Sequence, residues 1–163
     1  MKKTIAAILA ILLVFGLTGC GSDSVAIELE KFINNNMTEV NQKYKNLKAE
    51  MSRWDDIEES EELIDSIINM VLPNLNESID LLSKITLQTE EVKEIKDKYN
   101  IVLEAYKEGY QIMLTALEND EEGEIEKAEE KINEGVKYLD DYNKSLEELA
   151  KVKKMEVIYK YYR

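Results

Sequence analysis

The stretch that decides the fold is EEVKEIKDKYNIVLEAYKEGYQIMLTAL, which occupies residues 90–117. Its apolar residues recur every three or four positions, which is the spacing of one face of an α-helix, and charged residues fill the positions between them. Thr86 or Thr89 offers an N-cap, and Glu90 and Glu91 suit the positive end of the helix dipole. The pattern therefore predicts one long amphipathic helix. Its buried stripe consists of Val92, Ile95, Tyr99, Val102, Tyr106, Tyr110, Met113 and Leu117.

Two helices are predicted before this stretch. The first runs from about Ser24 to Trp54, and potential N-caps between Met51 and Ser60 indicate a break. In the second helix the apolar stripe continues unshifted across Pro73. We therefore favour one helix kinked at Pro73 over two separate helices.

The last predicted helix follows an acidic turn and runs from about Gly123 to beyond Ile158. Short connections between long helices favour antiparallel neighbours. The predicted fold class is all-α, an antiparallel up-down-up-down four-helix bundle of long helices, preceded by a cleaved signal peptide.

Two glycines lie inside the last two predicted helices. If these helices fold back near Glu122, residues whose numbers add to 244 lie level, which places Gly109 opposite Gly135 and Tyr106 opposite Tyr138. Glycine inside a helix is unfavourable, so level glycines indicate a point where two backbones approach closely. The alternative is a notch beside the two tyrosines that admits a ligand or a partner side chain.

The export signal lies in MKKTIAAILAILLVFGLTGC, residues 1–20. Lys2 and Lys3 form a positive start, and the apolar run 5–17 has signal-peptide length but is short for a permanent membrane helix. An ordinary signal peptide or an uncleaved anchor would also begin in this way. The run ends in Leu17, Thr18, Gly19 and Cys20.

These four residues resemble the lipobox of bacterial lipoproteins. The resemblance implies that Cys20 receives a diacylglyceryl group and that a dedicated peptidase, which recognises Leu17, Thr18 and Gly19, cuts before Cys20. We therefore expect a signal peptide at 1–19 and a single helical domain at 20–163, lipid-anchored on the extracytoplasmic face of the cell membrane. Two acyl chains suffice for stable attachment, whereas one is marginal.

Composition excludes several functions. The chain of 163 residues has a net charge of −13, which becomes −15 once residues 1–19 are removed. Such a chain repels nucleic acid. It contains no His and one Cys, so it lacks the usual zinc ligands and the usual base of nucleophilic triads. We predict no catalytic residues, no metal, no cofactor and no enzymatic activity.

The C-terminal tail departs from the acidic character of the chain. Residues 151–163 contain five basic residues and one acid. In an up-down-up-down bundle this tail returns to the anchored end, where cations and tyrosines suit lipid headgroups. The alternative is an ordinary helix C-terminus whose cations complement the dipole. The predicted membrane-contacting residues are Lys151, Lys153, Lys154, Tyr159, Lys160, Tyr161, Tyr162 and Arg163.

Acidic residues cluster at 58–62 and 120–124. A calcium site is the alternative, but the second cluster lacks the alternating oxygen ligands and the terminal Glu of an EF-hand loop, so we interpret both clusters as solvated helix starts. The tyrosines at helix seams are interpreted as core and boundary packing.

The mature region is similar to small helical-bundle lipoproteins of unknown function from Gram-positive bacteria. The resemblance lies in a Tyr-x-x-Gly-Tyr segment at 106–110, an Asp/Glu-rich turn, and Ala-Glu-Glu-Lys-Ile-Asn-Glu-Gly at 128–135. It covers about the C-terminal half of the chain and implies no functional residues.

The predicted function is a non-enzymatic lipoprotein that binds another envelope or secreted protein or scaffolds an assembly. The acidic body also suits capture of a cationic antimicrobial peptide or toxin as a self-protection device. The third hypothesis is binding of a small ligand.

Overall fold

A computed structural model describes residues 11–16, 23–57 and 59–160 of the chain. Within these residues the protein is predominantly helical, as the apolar spacing predicts. The helices are α1 (Ser24–Lys31), α2 (Thr38–Met51), α3 (Ser60–Ser66), α4 (Leu72–Ser83), α5 (Glu90–Asn119) and α6 (Glu122–Val152). A short 3-10 turn, Trp54–Asp56, lies between α2 and α3.

Two π-helical turns join consecutive helices into longer helical segments. The first, Phe32–Asn36, links α1 to α2, and the N–H of Met37 donates to the carbonyl of Phe32 five positions earlier, at 3.0 Å. The second, Ile67–Val71, links α3 to α4 and ends two residues before Pro73. Because proline has no N–H, it leaves the carbonyl four residues earlier without its α-helical partner, and a π turn at that point accommodates the loss.

The closest association between helices is the antiparallel hairpin of α5 and α6. Asp120 ends α5 in the left-handed conformation, with φ 58°, and the N–H of Glu121 donates to the carbonyl of Ala116 at 2.9 Å. This is a typical helix C-cap that satisfies a terminal carbonyl. The chain then reverses directly into α6.

The register of this hairpin differs from the predicted one by one helical turn. Gly109 faces Ile132 and Ala128, and Gly135 faces the ring of Tyr106. Level residues therefore have numbers that add to about 241, and the predicted pairing of Gly109 with Gly135 is wrong. The reason is that α5 and α6 meet through a turn centred near residue 120, slightly earlier than sequence inspection suggested.

The hydrophobic core lies between the helices and draws on every one of them. Helix α2 packs on α4, and α4 packs on α5. Most of the predicted stripe residues of α5 are buried, including Val92, Tyr99 and Tyr110. The largest fully buried side chains are Tyr99, Tyr110, Phe32, Leu29, Ile67, Leu75, Leu82, Leu146, Val40, Val71 and Val92.

Helix α6 is shorter than predicted. It ends at Val152, Lys154 takes a left-handed conformation with φ 57°, and Met155–Lys160 forms strand β2. The predicted continuation of the helix beyond Ile158 is therefore wrong. The sequence MEVIYK is rich in β-branched and aromatic residues, which favour a strand, and Met155 is buried.

Strand β2 pairs antiparallel with a strand formed by Ile11–Gly16 (β1 in chain order), with Gly16 opposite Met155 and Ile11 opposite Lys160. This segment lies within residues 1–19, the predicted signal peptide. The pairing is thus a property of the full, uncleaved chain.

No helix among the described residues is both long enough and apolar enough to cross a membrane.

Candidate functional site

The predicted lipidation residue Cys20 and the recognition residues Leu17, Thr18 and Gly19 lie outside the described residues. The first described residue after them is Asp23, only three positions beyond Cys20. The surroundings of Asp23 therefore define the end of the molecule at which a lipid on Cys20 would be attached. This end is called the anchor end below.

Asp23 ties the start of α1 to the end of α6. Its carboxylate accepts hydrogen bonds from the N–H groups of Val25 and Ala26, at 3.0 and 3.3 Å, and so caps α1. The same carboxylate forms an ion pair with Lys153, at 3.0 Å. The hydrogen bond from Lys153 is the largest cause that lowers the pKa of Asp23 below its usual value. The chain segment next to Cys20 and the C-terminal end of the helical region thus lie together.

The loop between α4 and α5 lies at the same end. Glu28, on α1, accepts hydrogen bonds from the N–H groups of Gln88 and Thr89, at 2.6 and 2.7 Å, and from the hydroxyl of Thr89 at 2.5 Å. Partial burial raises the pKa of Glu28, but these hydrogen bonds together lower it by more, so the pKa lies below its usual value. Thr89 is the N-cap residue of α5 and is one of the two residues that the sequence predicts for this position. Glu28, sixty residues away, supports this start of the helix by accepting hydrogen bonds from the N–H groups of Gln88 and Thr89, which no local pattern in the sequence indicates.

The predicted membrane-contacting tail divides into four groups. Lys153 is committed to Asp23, whereas Lys151 and Lys154 are exposed. The backbones of Tyr159 and Lys160 lie in β2. The remaining predicted tail residues, Tyr161, Tyr162 and Arg163, lie outside the described residues.

Exposed apolar side chains accompany the two exposed lysines. Val152 is 74% exposed and Ile158 is 39% exposed. Ile27, one helical turn after Asp23, is 57% exposed. Apolar side chains mixed with cations are the composition favoured at the surface of a bilayer. We call Lys151, Val152, Lys154 and Ile158 the anchor-end patch.

The predicted notch residues lie on the α5–α6 interface. Tyr106, Gly109 and Gly135 are buried, and Tyr138 is 38% exposed. A Cβ atom on Gly109 would lie 2.6 Å from Cγ1 of Ile132, and one on Gly135 would lie 2.7 Å from the ring of Tyr106. Side chains of the facing helix therefore fill the space above both glycines, which is close helix packing rather than an open notch.

The buried tyrosines form a connected group in the core. The rings of Tyr99 and Tyr142 are 5.0 Å apart, and the ring of Tyr110 meets Trp54 edge-on at 5.8 Å. Burial raises the pKa of Tyr99, Tyr106 and Tyr110 well above that of an exposed phenol. These phenols stay neutral at any physiological pH.

A buried polar network lies toward the end of the molecule opposite the anchor end, where α2 is followed by α3. Glu50 is 8% exposed; it accepts a hydrogen bond from the Ser66 hydroxyl at 2.9 Å and pairs with Arg53 at 3.1 Å. The indole N–H of Trp54 donates to Ser66 at 2.8 Å. The network joins the end of α2 to α3, and each donor has an acceptor. We therefore interpret it as a contact that stabilises the fold.

Acidic residues gather at this opposite end, called the far end below. Trp54 contacts Tyr110, so the α2–α3 connection lies beside the last third of α5, and the α5–α6 turn lies beyond it. At 1.5 Å per residue α5 is about 45 Å long, which separates the far end from the anchor end. The described acids there are Asp55, Asp56, Glu59, Glu61, Glu62, Asp120, Glu121, Glu122 and Glu124. Glu58 lies outside the described residues, and no group of His, Cys, Asp and Glu among the described residues is arranged to hold a metal.

One groove was missed by the sequence analysis. It has a volume of about 870 Å³ and lies between the first π turn and the end of α4. Its lining residues are Asn34, Asn35, Asn36, Thr38, Glu39, Leu81, Lys84, Ile85 and Thr86. The run of three asparagines was the only local signal, and its position beside α4 depends on tertiary packing.

None of the protein families, curated proteins and solved structures that were compared with the chain matches it. The resemblance to helical-bundle lipoproteins stays a prediction from the sequence.

Proposed function

We propose that the protein is a non-enzymatic lipoprotein, held at the cell membrane through Cys20, whose far end binds another envelope or secreted protein. The helices form an up-down-up-down four-helix bundle whose second helix bends at Pro73. The observation that supports the proposal is the ion pair between Asp23 and Lys153, because Asp23 follows Cys20 by three residues in the sequence and Lys153 lies between Val152 and Lys154 of the anchor-end patch. The acidic far end then points away from the bilayer.

Lipid attachment is tested by mass spectrometry of the N-terminal peptide from the native producer. We expect a peptide that begins at Cys20 and carries acyl chains, and we expect Cys20→Ala to abolish both acylation and cleavage. Cys20→Ala should also release the protein from the membrane fraction or leave it as the full-length precursor. A wild-type chain that retains Met1 in the soluble fraction would overturn this part of the proposal.

The anchor-end patch orients the bundle on the bilayer. The patch contains two cations and two exposed apolar side chains, and each cation near an anionic surface contributes about 1 kcal/mol. The acidic body is repelled by the same surface, so the molecule stands on its anchor end.

A chain that begins at Gly21 tests this orientation without the lipid. We expect weak binding to vesicles of anionic phospholipid, and we expect Lys151→Gln with Lys154→Gln to reduce it at least fivefold. The matched control is Lys137→Gln with Lys144→Gln, two exposed lysines on α6 that change the net charge equally. Equal binding by both double variants would contradict the orientation.

The far end is the partner-binding surface because acids dominate it. Of the cations nearby, Arg53 pairs with Glu50 and Lys127 pairs with Glu124, so neither offsets the remaining acids fully. A partner with a cationic surface is attracted to such an end and steered by it.

Chemical crosslinking in native envelopes tests the partner surface. We expect one specific crosslinked protein for the wild type and its loss for Glu121→Lys with Glu122→Lys. Glu94→Lys with Asp97→Lys, a matched pair on the other half of α5, should retain it. No specific crosslink for any version, or equal loss in both double variants, would count against far-end binding.

A second candidate function is capture of a cationic antimicrobial peptide or toxin, favoured by the same density of acids. A synthetic cationic amphipathic peptide should bind the wild type, lose affinity for the far-end double variant and lose affinity at high salt. Deletion of the gene should increase sensitivity to the agent. Unchanged sensitivity would remove this candidate.

A further inference from the structure

The groove between the first π turn and the end of α4 lies near the anchor end, and β1 lies against the same π turn. It is an open depression of about 870 Å³ on the surface of the protein. Ile85 is buried and Leu81 is half-buried, so they supply an aliphatic floor. Polar side chains surround this floor.

A proline accounts for one of the two π turns but not for the other. The turn at Ile67–Val71 has a local cause in Pro73. The turn at Phe32–Asn36 has no proline, yet it inserts one extra residue into the helix while Phe32, Ile33 and Met37 all stay in the core. The insertion leaves Asn34 and Asn36 half-buried and Asn35 exposed, on the groove side. π turns of this kind are frequent at functional sites.

The side chains of the groove define the chemistry of a ligand. Three carboxamides and the hydroxyls of Thr38 and Thr86 line it. The Thr38 hydroxyl donates to the carbonyl of Asn34 at 3.3 Å and so offers a ligand only an acceptor, whereas a carboxamide can both donate and accept. This pairing of donor and acceptor matches the N–H and C=O of a peptide group. No aromatic ring is among the lining residues, so the groove offers no stacking platform for a sugar ring.

Two opposite charges complete the groove. Glu39 lies on α2, and Lys84 follows the last residue of α4 on the other wall. Lys84 pairs with Asp80 at 2.5 Å, but both side chains are largely exposed, and such surface pairs are weak enough for a ligand carboxylate to compete. Glu39 is exposed and can receive an ammonium group.

We propose that this groove binds short peptides with free termini, the ammonium group at Glu39, the carboxylate at Lys84 and the peptide groups on Asn34, Asn35 and Asn36. We infer peptides as the ligand class because the lining side chains would hydrogen-bond to the backbone groups that all peptides share, and not to one particular side chain of the ligand. The inference stands independently of the anchored orientation and of far-end binding.

The test uses the full ¹⁵N-labelled chain in detergent micelles and the probes di-, tri- and tetra-alanine. We expect saturable shifts of the side-chain amide signals of Asn34, Asn35 and Asn36 with at least one of these peptides. N-acetylated and C-amidated versions of the same peptide should bind at least tenfold more weakly. Glu39→Gln and Lys84→Gln should each weaken binding at least threefold.

Matched controls are Glu94→Gln and Lys144→Gln, which change the same charges away from the groove and should bind like the wild type. Circular dichroism of every variant establishes that the helices remain. Absence of saturable shifts with all three peptides overturns the inference. Equal binding of the capped peptides overturns the role of the termini, and binding of chitotetraose in place of the peptides overturns the ligand class.

Discussion

Glu28 shows how one side chain connects distant parts of the chain. Its carboxylate accepts three hydrogen bonds from Gln88 and Thr89 at the start of α5. A carboxylate at a helix N-terminus satisfies unpaired N–H groups and interacts favourably with the helix dipole. The position of α1 against the start of α5 therefore depends on a side chain in the middle of α1.

Glu28→Ala should lower the free energy of unfolding by about 1 kcal/mol at pH 7, the usual effect of losing a helix cap. Because the pKa of Glu28 is lower in the folded protein than in the unfolded chain, this stabilisation is present above about pH 4 and is lost as the pH falls through the folded-state pKa. Urea denaturation at several pH values measures it. Glu30→Ala, on the same helix, is the control, and an equal loss in both variants would contradict the capping role.

Gly109 and Gly123 respond to alanine in opposite directions. A Cβ on Gly109 meets Ile132 at 2.6 Å and backbone atoms of α6 at 3.1 and 3.3 Å, whereas a Cβ on Gly123 meets nothing within 4 Å. Overpacking costs about 1–3 kcal/mol and exceeds the gain in helix propensity, so Gly109→Ala should destabilise by about 1–2 kcal/mol. Gly123→Ala should stabilise by about 0.5 kcal/mol. Chemical denaturation compares them, and a stabilising Gly109→Ala would refute the close approach.

The buried tyrosines predict instability at alkaline pH. Their pKa values are raised in the folded protein, so the unfolded chain releases protons first as the pH rises above about 10, and stability falls by about 1.4 kcal/mol per pH unit for each tyrosine. Tyr106→Phe removes a buried hydroxyl that has no hydrogen-bond partner, so it should cost little at pH 7 and should flatten the alkaline decline. Tyr138→Phe, which alters a partly exposed side chain, is the control. An alkaline decline of the same slope in Tyr106→Phe and the wild type would be inconsistent with this account.

At the scale of elements, the first π turn accounts for an irregularity in the apolar stripe. Phe32 and Ile33 at the start of the turn and Met37 directly after it are all buried, so the extra residue is accommodated without loss of core contacts. The extra residue in the turn lets α1 and α2 both face the core.

Deletion of Asn35 should convert this turn into regular α-helix without rotating either flank away from the core. We expect the thermal midpoint to stay within a few degrees of the wild type, since the buried residues on both sides keep their places. The same deletion should abolish peptide-induced shifts at the groove. Deletion of Asn41, inside regular α2, serves as the control and should be strongly destabilising because it rotates the rest of the helix by about 100°. Equal destabilisation by both deletions would contradict the π-turn interpretation.

At the scale of the whole molecule, the described core residues lie between Val25 and Met155. Strand β1, within the predicted signal peptide, pairs with β2 and also lies against α1 and the first π turn. Exposed acids occur at both ends, with Glu91, Glu148 and Glu156 near the anchor end, and the exposed cations Lys151 and Lys154 lie among the acids of that end.

A chain that begins at Gly21 should therefore retain its helix content and unfold cooperatively on heating. Circular dichroism at 222 nm measures both properties, with the same chain carrying Leu146→Ala, a fully buried position, as a destabilised reference. We expect the reference to lose about 2–5 kcal/mol of stability. A non-cooperative transition in the unmodified chain would show that residues 1–20 are part of the folded core.

The sequence predicted that the chain is mainly helical and which residues form the apolar stripes of α2 and α5, because helical periodicity is a local property of the chain. The lack of histidine, which excludes His-based chemistry, is likewise a property of the composition alone. The seam of Tyr99, Tyr106 and Tyr110 was predicted as packing, and all three residues are buried. Tertiary structure alone decided the hairpin register, the Glu28 cap, the strand at Met155–Lys160 and the groove beside Asn35. Each of these depends on groups that are distant in sequence and meet only after the helices pack, and no local pattern encodes which turn of one helix lies against another.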